Sequence, residues 1–496
     1  MDYYFILGRE NKISQKEIES VLAGFGVGFG PSCHCKTEGR GNLSEKIALS
    51  QAPRNDLAIS ILADDVLEIK LNADTKKVAD LINILGGTIK IFQKVASNLE
   101  NIDNVLAGSP KGKIILGISN YSKSKIDSFR IALKIKKRLS KKRKVRVIAG
   151  KDNDRLSSAQ SFQYKLDREG VELGFFDDPS RPAPVSAACL AVGLGWAEPR
   201  RKPRRSPSPD GRAEAGGIGQ LVAVQNIDEW SCRDYGKPRS DARSGMTPPK
   251  LARAMVNIAL GQARSMNHEL RIMNESHNSE FSIHNSCLVV DPFCGSGNIL
   301  IEGLVLGLDV IGSDISEKAV FDTKANLEWL LHESGIMNHE SWTKTHNSEF
   351  SIHNSIFQAD TTKYDYGKID RDFIIVSEPY LGQPRKSKLE LEDEEDIEDI
   401  EGLYLDFLQN LKLTADSLQL KAICIIFPLY ELKNGKKLSI FEHCIDKIEK
   451  IGYTLICPPL TYGRDYQIVK REIVLLKLKS QKSKVKNQTS KSKIFS

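Results

Sequence analysis

Short β-branched runs alternate with amphipathic stretches along most of the chain, and this spacing predicts strand-helix-strand units. Near the start, Tyr3-Tyr4-Phe5-Ile6-Leu7-Gly8-Arg9 reads as a strand. Ser14-Gln15-Lys16-Glu17 reads as a capping box opening a helix that runs to Leu22. Residues 31–56 are polar and mixed, as in a loop, and 66–71 alternate as a strand does. A helix over 75–85 stops at Gly86-Gly87 and a strand returns over 89–95. A second unit opens with the strand Lys113-Ile114-Ile115-Leu116-Gly117-Ile118. Its helix carries Ile126, Phe129 and Leu133 on one face and Lys134, Lys136, Lys137 and Arg138 towards its end. Lys141-Lys142-Arg143-Lys144 then leads into the strand Val145-Arg146-Val147-Ile148.

The pattern breaks over 182–220, where Arg200-Arg201-Lys202-Pro203-Arg204-Arg205-Ser206-Pro207-Ser208-Pro209 reads as a disordered insertion. It resumes with Pro248-Pro249 at a helix start, buried through Leu251, Ala254, Met255, Ile258 and Ala259. Two near-repeats, over 266–286 and 337–355, hold six of the nine histidines. Each precedes a strand, at the sheet edge opposite the one where ligands bind, so both read as copied insertions and no metal is expected. Cys33-His34-Cys35 lacks a second ligand pair at suitable spacing and does not change that expectation.

The second half is organised around Leu288-Val289-Val290, then Asp291-Pro292-Phe293-Cys294-Gly295-Ser296-Gly297, then Asn298-Ile299-Leu300-Ile301-Glu302. This is a buried strand, a glycine turn and a helix packed back on the strand, the form of a nucleotide-binding elbow. A Walker loop needs Lys-Ser/Thr after its last glycine, but Asn298-Ile299 follow Gly297. A dinucleotide fingerprint needs a further glycine where Leu300 stands. Carboxylates close three strand-like runs instead: Asp291, Asp314 and Asp360. They suit a ligand with a cationic amino acid end, a ribose and an adenine amino group, and suit pyrophosphate poorly. The next buried strand, Asp372-Phe373-Ile374-Ile375-Val376, delivers Ser377-Glu378-Pro379-Tyr380 to the same edge. An acidic run over 390–401 passes into an amphipathic helix. Strands are expected over 422–427, 453–456 and 471–477.

Composition sets limits on these readings. At 496 residues the chain exceeds one ordinary hydrophobic core, so two or three domains are expected. The net charge of +7 is modest but clustered, over 134–146, 200–205 and 479–493, which fits a polyanion met by particular surfaces. No apolar run spans a bilayer and the N-terminus lacks a signal-peptide layout, so a cytoplasmic protein with reduced thiols is expected.

The run Asp-Pro-Phe-Cys-Gly-Ser-Gly-x-Ile-Leu-Ile-Glu, with Gly312-Ser313-Asp314-Ile315 and Ser377-Glu378-Pro379-Tyr380, resembles the class I S-adenosylmethionine-dependent RNA methyltransferases. It is most similar to the tRNA (guanine-N2)-methyltransferase family that carries a THUMP domain. The resemblance implies an α/β fold, a doubly wound Rossmann-like class I methyltransferase sheet preceded by ferredoxin-like and THUMP-like α/β domains. Domains are then expected over 1–97, 98–225 and 226–480, with a basic tail over 481–496. S-adenosylmethionine would be held by Asp291, Pro292, Phe293, Gly295, Gly297, Asp314, Ile315 and Asp360, with Thr247 of Gly245-Met246-Thr247-Pro248 at its methionine end. Lys136, Lys137, Arg138, Lys141, Lys142 and Arg143 would contact tRNA phosphates without reading sequence.

In such enzymes the corner after the fourth strand accepts hydrogen bonds from an exocyclic amine and stacks an aromatic ring on an everted base. Ser377, Glu378, Pro379 and Tyr380 are therefore the catalytic candidates, although Ser377 replaces the usual Asp and Glu378 stands in place of a first proline. The implied reaction is methyl transfer to guanosine N2 in tRNA. Amino methylation of rRNA or DNA, and a non-catalytic RNA-binding protein with an altered site, stay open. So does the need for a small helper subunit.

Overall fold

The computed structural model describes residues 1–23, 59–96, 106, 112–123, 126–140, 143–150, 155–177, 217–240, 246–272, 287–337, 352–383, 394–416, 418–464 and 467–479. Cys33-His34-Cys35, Lys141, Lys142, the arginine-proline run, most of both histidine-rich near-repeats and the basic tail lie outside these residues. Two compact units form, Met1–Ser14 with Val27–Asp228 and Gln15–Gly26 with Glu229–Ser496.

In the first unit, β1 (Asp2–Leu7), β2 (Ile59–Ala63), β3 (Val66–Lys70), β4 (Thr88–Ala96), β5 (Ile114–Asn120), β6 (Val145–Ile148), β7 (Val171–Phe176) and β8 (Gly217–Val224) make one sheet. Its order is β2-β3-β1-β4-β8-β7-β5-β6. The expected division at residue 97 is therefore not a domain boundary, because β8 pairs antiparallel with β4 on one side and with β7 on the other. Gly217-Ile218-Gly219-Gln220 are strand residues rather than the end of an insertion.

The helices of this unit are α1 (Asn11–Ala23), α2 (Thr75–Ile84), α3 (Ser128–Leu139) and α4 (Ser158–Gln163), with α1 passing into the second unit at Gln15. Ser14 is not a cap but an interior residue of α1, its hydroxyl bonded back to Glu10 O at 3.0 Å. The face of α3 is also corrected. Asp127 caps it by accepting from Arg130 N at 2.9 Å, which sets Ile131, Ala132, Ile135 and Leu139 inward and leaves Phe129 and Leu133 exposed.

Glu172 is buried at the centre of this unit. Lys90 Nζ donates to it at 2.7 Å, and the hydroxyls of Ser119 and Ser161 donate at 2.6 and 2.5 Å. Lys90 also reaches Leu156 O at 2.9 Å. Burial pushes the Lys90 ammonium below its usual range, against the pull of Glu172. Each charged atom of the pair thus has at least one hydrogen-bond partner, the condition under which a buried pair is tolerated.

The second unit contains α5 (Ile227–Ser231), α6 (Pro249–Ile272), α7 (Asn298–Val305), α8 (Glu317–His332), α9 (Ile352–Ser355), α10 (Glu394–Thr414) and α11 (Ile440–Ile451). Its strands are β9 (Leu288–Asp291), β10 (Val310–Asp314), β11 (Ile356–Gln358), β12 (Phe373–Ser377), β13 (Leu420–Glu431), β14 (Lys437–Ser439), β15 (Tyr453–Leu455), β16 (Leu460–Tyr462) and β17 (Val469–Leu478). The sheet runs β11-β10-β9-β12-β13-β17-β15, with β14 on β13 and β16 on β17. The first five strands are parallel and β17 is antiparallel to β13. Strand order reverses between β9 and β12, so the crevice for a ligand lies at their carboxyl ends. Under this rim pack Phe373, Ile375, Tyr404, Phe407, Leu408, Ile423 and Ile425, all buried. No helix among the described residues is long and apolar enough to cross a membrane.

Lys90→Met leaves the Glu172 carboxylate buried without its cation, and the loss should be about 3–5 kcal/mol. Urea unfolding of the variant, followed by circular dichroism, checks this.

Candidate active site

The loop between β9 and α7 turns on two glycines with left-handed backbone, Gly295 (φ +54°) and Gly297 (φ +84°). A Cβ on Gly297 would meet Thr323 Cγ2 at 3.0 Å, whereas one on Gly295 would meet nothing within 4 Å and would project into open space. The rest of the loop is held from α8. Thr323 Oγ1 donates to Gly295 O at 2.8 Å and Asn326 Nδ2 to Ser296 O at 2.8 Å.

Asp314, at the end of β10, accepts from Gly295 N at 3.0 Å and Ser316 N at 2.9 Å. A carboxylate has about four lone-pair directions, so capacity remains for two hydroxyl donors. Ile315 follows it, 70% exposed, an apolar surface at the rim where a flat heterocycle could lie. On the neighbouring strand end, Asp360 accepts from Thr362 Oγ1 at 2.6 Å and Lys363 Nζ at 2.7 Å. These hydrogen bonds hold its pKa below the usual carboxylate range.

Asp291 is placed differently. It is 1% exposed, below the rim, and its Oδ1 accepts from Ser377 Oγ at 2.5 Å and Phe293 N at 3.2 Å. Burial pushes this carboxyl up to about 7, although both hydrogen bonds oppose the shift. The three acids stand at the ends of the adjacent strands β9, β10 and β11, but only Asp314 and Asp360 present carboxylates partly to solvent. Phe293 packs edge-on against Phe407, ring centroids 5.5 Å apart, and Pro292 is buried.

The corner after β12 also differs from its sequence reading. Ser377 is fully buried with its hydroxyl given to Asp291, and Pro379 is buried. Glu378 Oε1 accepts from Arg471 Nε at 2.5 Å, and Oε2 accepts from the Thr247 hydroxyl. Burial raises the Glu378 pKa, while Arg471 and Thr247 pull it down. Of the four residues, Tyr380 is turned outward, 50% exposed. In the other unit, Lys136, Lys137 and Arg138 are exposed in the last turn of α3, and Arg143 is half-buried near Leu106 O.

Several site residues were given no role by the sequence, although Glu302 closes the run that carries the resemblance. Asn298, the first residue of α7, donates to Thr247 O at 2.6 Å and accepts from Lys237 Nζ. Burial brings Lys237 down to about 8. Glu302, one turn further, receives Arg233 Nε at 2.7 Å and Arg253 Nη2 at 2.6 Å, all three side chains buried. Arg233 lies over the Trp230 ring at 4.2 Å. The only sequence signal for these is polarity inside apolar surroundings, as in Asn-Ile-Leu-Ile-Glu and in Arg471-Glu472 within a strand. Among the described residues no three His, Cys, Asp or Glu side chains gather as a metal site.

Five parallel strands, a reversed strand between the fifth and the last, and a glycine elbow at the switch point define a doubly wound, Rossmann-like α/β domain. Over 110 residues, 21% of this chain and 25% of the relative, the sequence is 34% identical to a tRNA (guanine(10)-N2)-dimethyltransferase of Methanocaldococcus jannaschii. Over 107 residues, again 21% and 25%, it is 32% identical to the protein of that name from Pyrococcus abyssi. The chain thus spans about a quarter of the length of these curated relatives. No family model matches it. Among solved structures, a magnesium protoporphyrin IX methyltransferase from Synechocystis overlaps 51% of this chain and 91% of its own, at 16% identity and a TM-score of 0.26. An rRNA methylase from Streptococcus thermophilus overlaps 39% and 88%, at 15% identity and a TM-score of 0.22. Scores of that size leave the fold assignment to the strand order itself.

Because the folded-state pKa of Asp291 lies above the ordinary 3.8, the folded protein holds an extra proton between about pH 4 and 7, and its stability falls as pH rises across that window. The full effect, above pH 7, is about 4 kcal/mol. Asp291→Asn should flatten this slope relative to the parent, measured as the difference in unfolding free energy between pH 4.5 and 7.5.

Proposed function

We propose that this chain transfers a methyl group from S-adenosylmethionine to the N2 amine of a guanosine in tRNA, in the cytoplasm. The observation that carries this reading is one rim of the sheet. There a left-handed glycine loop, a partly open aspartate and the half-exposed Tyr380 meet at the carboxyl ends of β9, β10 and β12. The partial likeness to tRNA (guanine(10)-N2)-dimethyltransferases points the same way.

The residues present suit S-adenosylmethionine. Open space over Gly295 leaves room that a side chain would fill, Asp314 keeps acceptors for ribose hydroxyls, and Ile315 offers an apolar face to adenine. When bound, S-adenosylmethionine supplies an electrophilic methyl on sulfur. The chain's contribution is then positioning, with little proton transfer before the methyl moves. Tyr380 provides the ring on which an extruded guanine stacks. Ser377 and Glu378 are both bonded to protein partners, so the backbone carbonyls of the corner are the acceptors proposed for the amine. Exposed cations of α3 hold phosphates of the same RNA.

A silent site remains a second reading, favoured by the commitment of the Ser377 and Glu378 side chains to Asp291, Arg471 and Thr247. Methyl incorporation from labelled S-adenosylmethionine into unmodified tRNA, followed by nucleoside analysis, decides between them. N2-methylguanosine is the expected product; cofactor binding without incorporation favours the silent site, and label in rRNA or DNA alone overturns the substrate.

Tyr380→Ala should lower kcat/KM for RNA by about tenfold to a hundredfold, the worth of one base stack, with S-adenosylmethionine affinity little changed. Replacing Lys136, Lys137 and Arg138 together with Gln should reduce the slope of log affinity against log salt by about 2, measured by filter binding.

A further inference from the structure

The Ser377-Glu378-Pro379-Tyr380 corner is fastened from outside its own strand. Arg471 and Glu378 form an ion pair with 10% and 9% of their side chains exposed, bridging β17 to the residue after β12. The second carboxylate oxygen takes the Thr247 hydroxyl, and Thr247 O takes Asn298 Nδ2. Asn298 Oδ1 in turn takes Lys237 Nζ. A continuous chain of hydrogen bonds therefore runs from β17, through the corner, to the first residue of the helix that follows the glycine loop. Beyond the corner, Tyr430 OH donates to Leu381 O at 2.6 Å. Each Glu378 oxygen accepts one hydrogen bond from the protein, and together these two bonds fix how the carboxylate is turned.

We infer that Arg471 is a positioning residue for the methyl transfer: by pairing with Glu378 it fixes the corner carrying Tyr380 relative to the cofactor loop. This rests on the proposed reaction. Without the guanidinium, Glu378 would be a buried carboxyl lacking its cation, which protonates or seeks water. Either response abandons the present geometry of the corner and lets Tyr380, two residues on, move with it. The binding of S-adenosylmethionine should change little, because Asp314 and the glycine loop lie outside the pair and Thr247 is still held by Asn298.

The test compares the parent chain with Arg471→Met and with the double variant Glu378→Leu/Arg471→Met, in which two apolar side chains replace the pair. Two readouts are taken, amide hydrogen exchange over residues 377–382 and steady-state methyl transfer to tRNA. Arg471→Met should speed exchange there and lower kcat by about tenfold or more, with KM for S-adenosylmethionine within about twofold of the parent. The double variant should recover much of both, since a well-packed apolar pair can replace a buried ion pair. Unchanged exchange in Arg471→Met, a rise in KM alone, or a double variant no better than the single one overturns the inference. If Arg471→Met does not fold, the double variant decides it: a folded protein with parental exchange supports it, and failure to fold overturns it. A parent chain without methyl transfer defeats the proposed reaction instead, and the exchange data still judge how the corner is held.

Discussion

The hydrogen bond from Ser377 to Asp291 joins the carboxyl ends of β9 and β12, the two strands between which the order of the sheet reverses. Helices leaving these strands diverge, and a crevice is unavoidable. Other features of the rim are fitted to that crevice. The glycine loop crosses it, Asp314 steadies the loop through Gly295 N–H, and the corner after β12 forms the opposite bank. A carboxyl with a pKa near neutrality beneath the loop is a consequence of closing the strands over an acid with little water.

Charge is used sparingly inside each unit but at decisive points. Glu172 collects Lys90, Ser119 and Ser161 from separate elements, and Glu302 collects Arg233 and Arg253. Such pairs add little net stability over apolar packing, but a wrong register strands a charge, so they discriminate among alternative packings. Glu229 stands 4.0 Å from the Arg233 guanidinium, and the Trp230 ring lies against both arginines.

Most of the second sheet was legible because its central strands are short β-branched runs between polar turns, as in Leu288-Val289-Val290 and Ile374-Ile375-Val376. The elbow was legible because an L-residue resists the backbone of Gly295 and Gly297. The single sheet of the first unit was not, since Gly217-Ile218-Gly219-Gln220 lies past a compositionally biased stretch and pairs with residues more than a hundred positions earlier. Local pattern misled at Ser14, where hydroxyl and acid at capping spacing fall inside a helix, and at Phe129 and Leu133, where apolar character did not mean burial. Within the site, the sequence marked Asp291 and Ser377 but not that they would bond each other, nor that Arg471 would reach Glu378 from 93 positions away. Those are facts of tertiary packing, which no window of neighbouring residues contains.

The place of β17 in the sheet has a consequence for biosynthesis. It is the last of the described strands in sequence, yet it lies between β13 and β15 and covers one side of β13, whose twelve residues are almost all buried. While the ribosome is still adding this strand, β13 presents a long apolar edge, the kind of surface that recruits chaperones or other chains. A nascent chain stopped short of β17 would also lack the guanidinium that completes the rim. The strand that completes the sheet is therefore also the one that brings Arg471 to Glu378, so closing the sheet and holding that corner come last together.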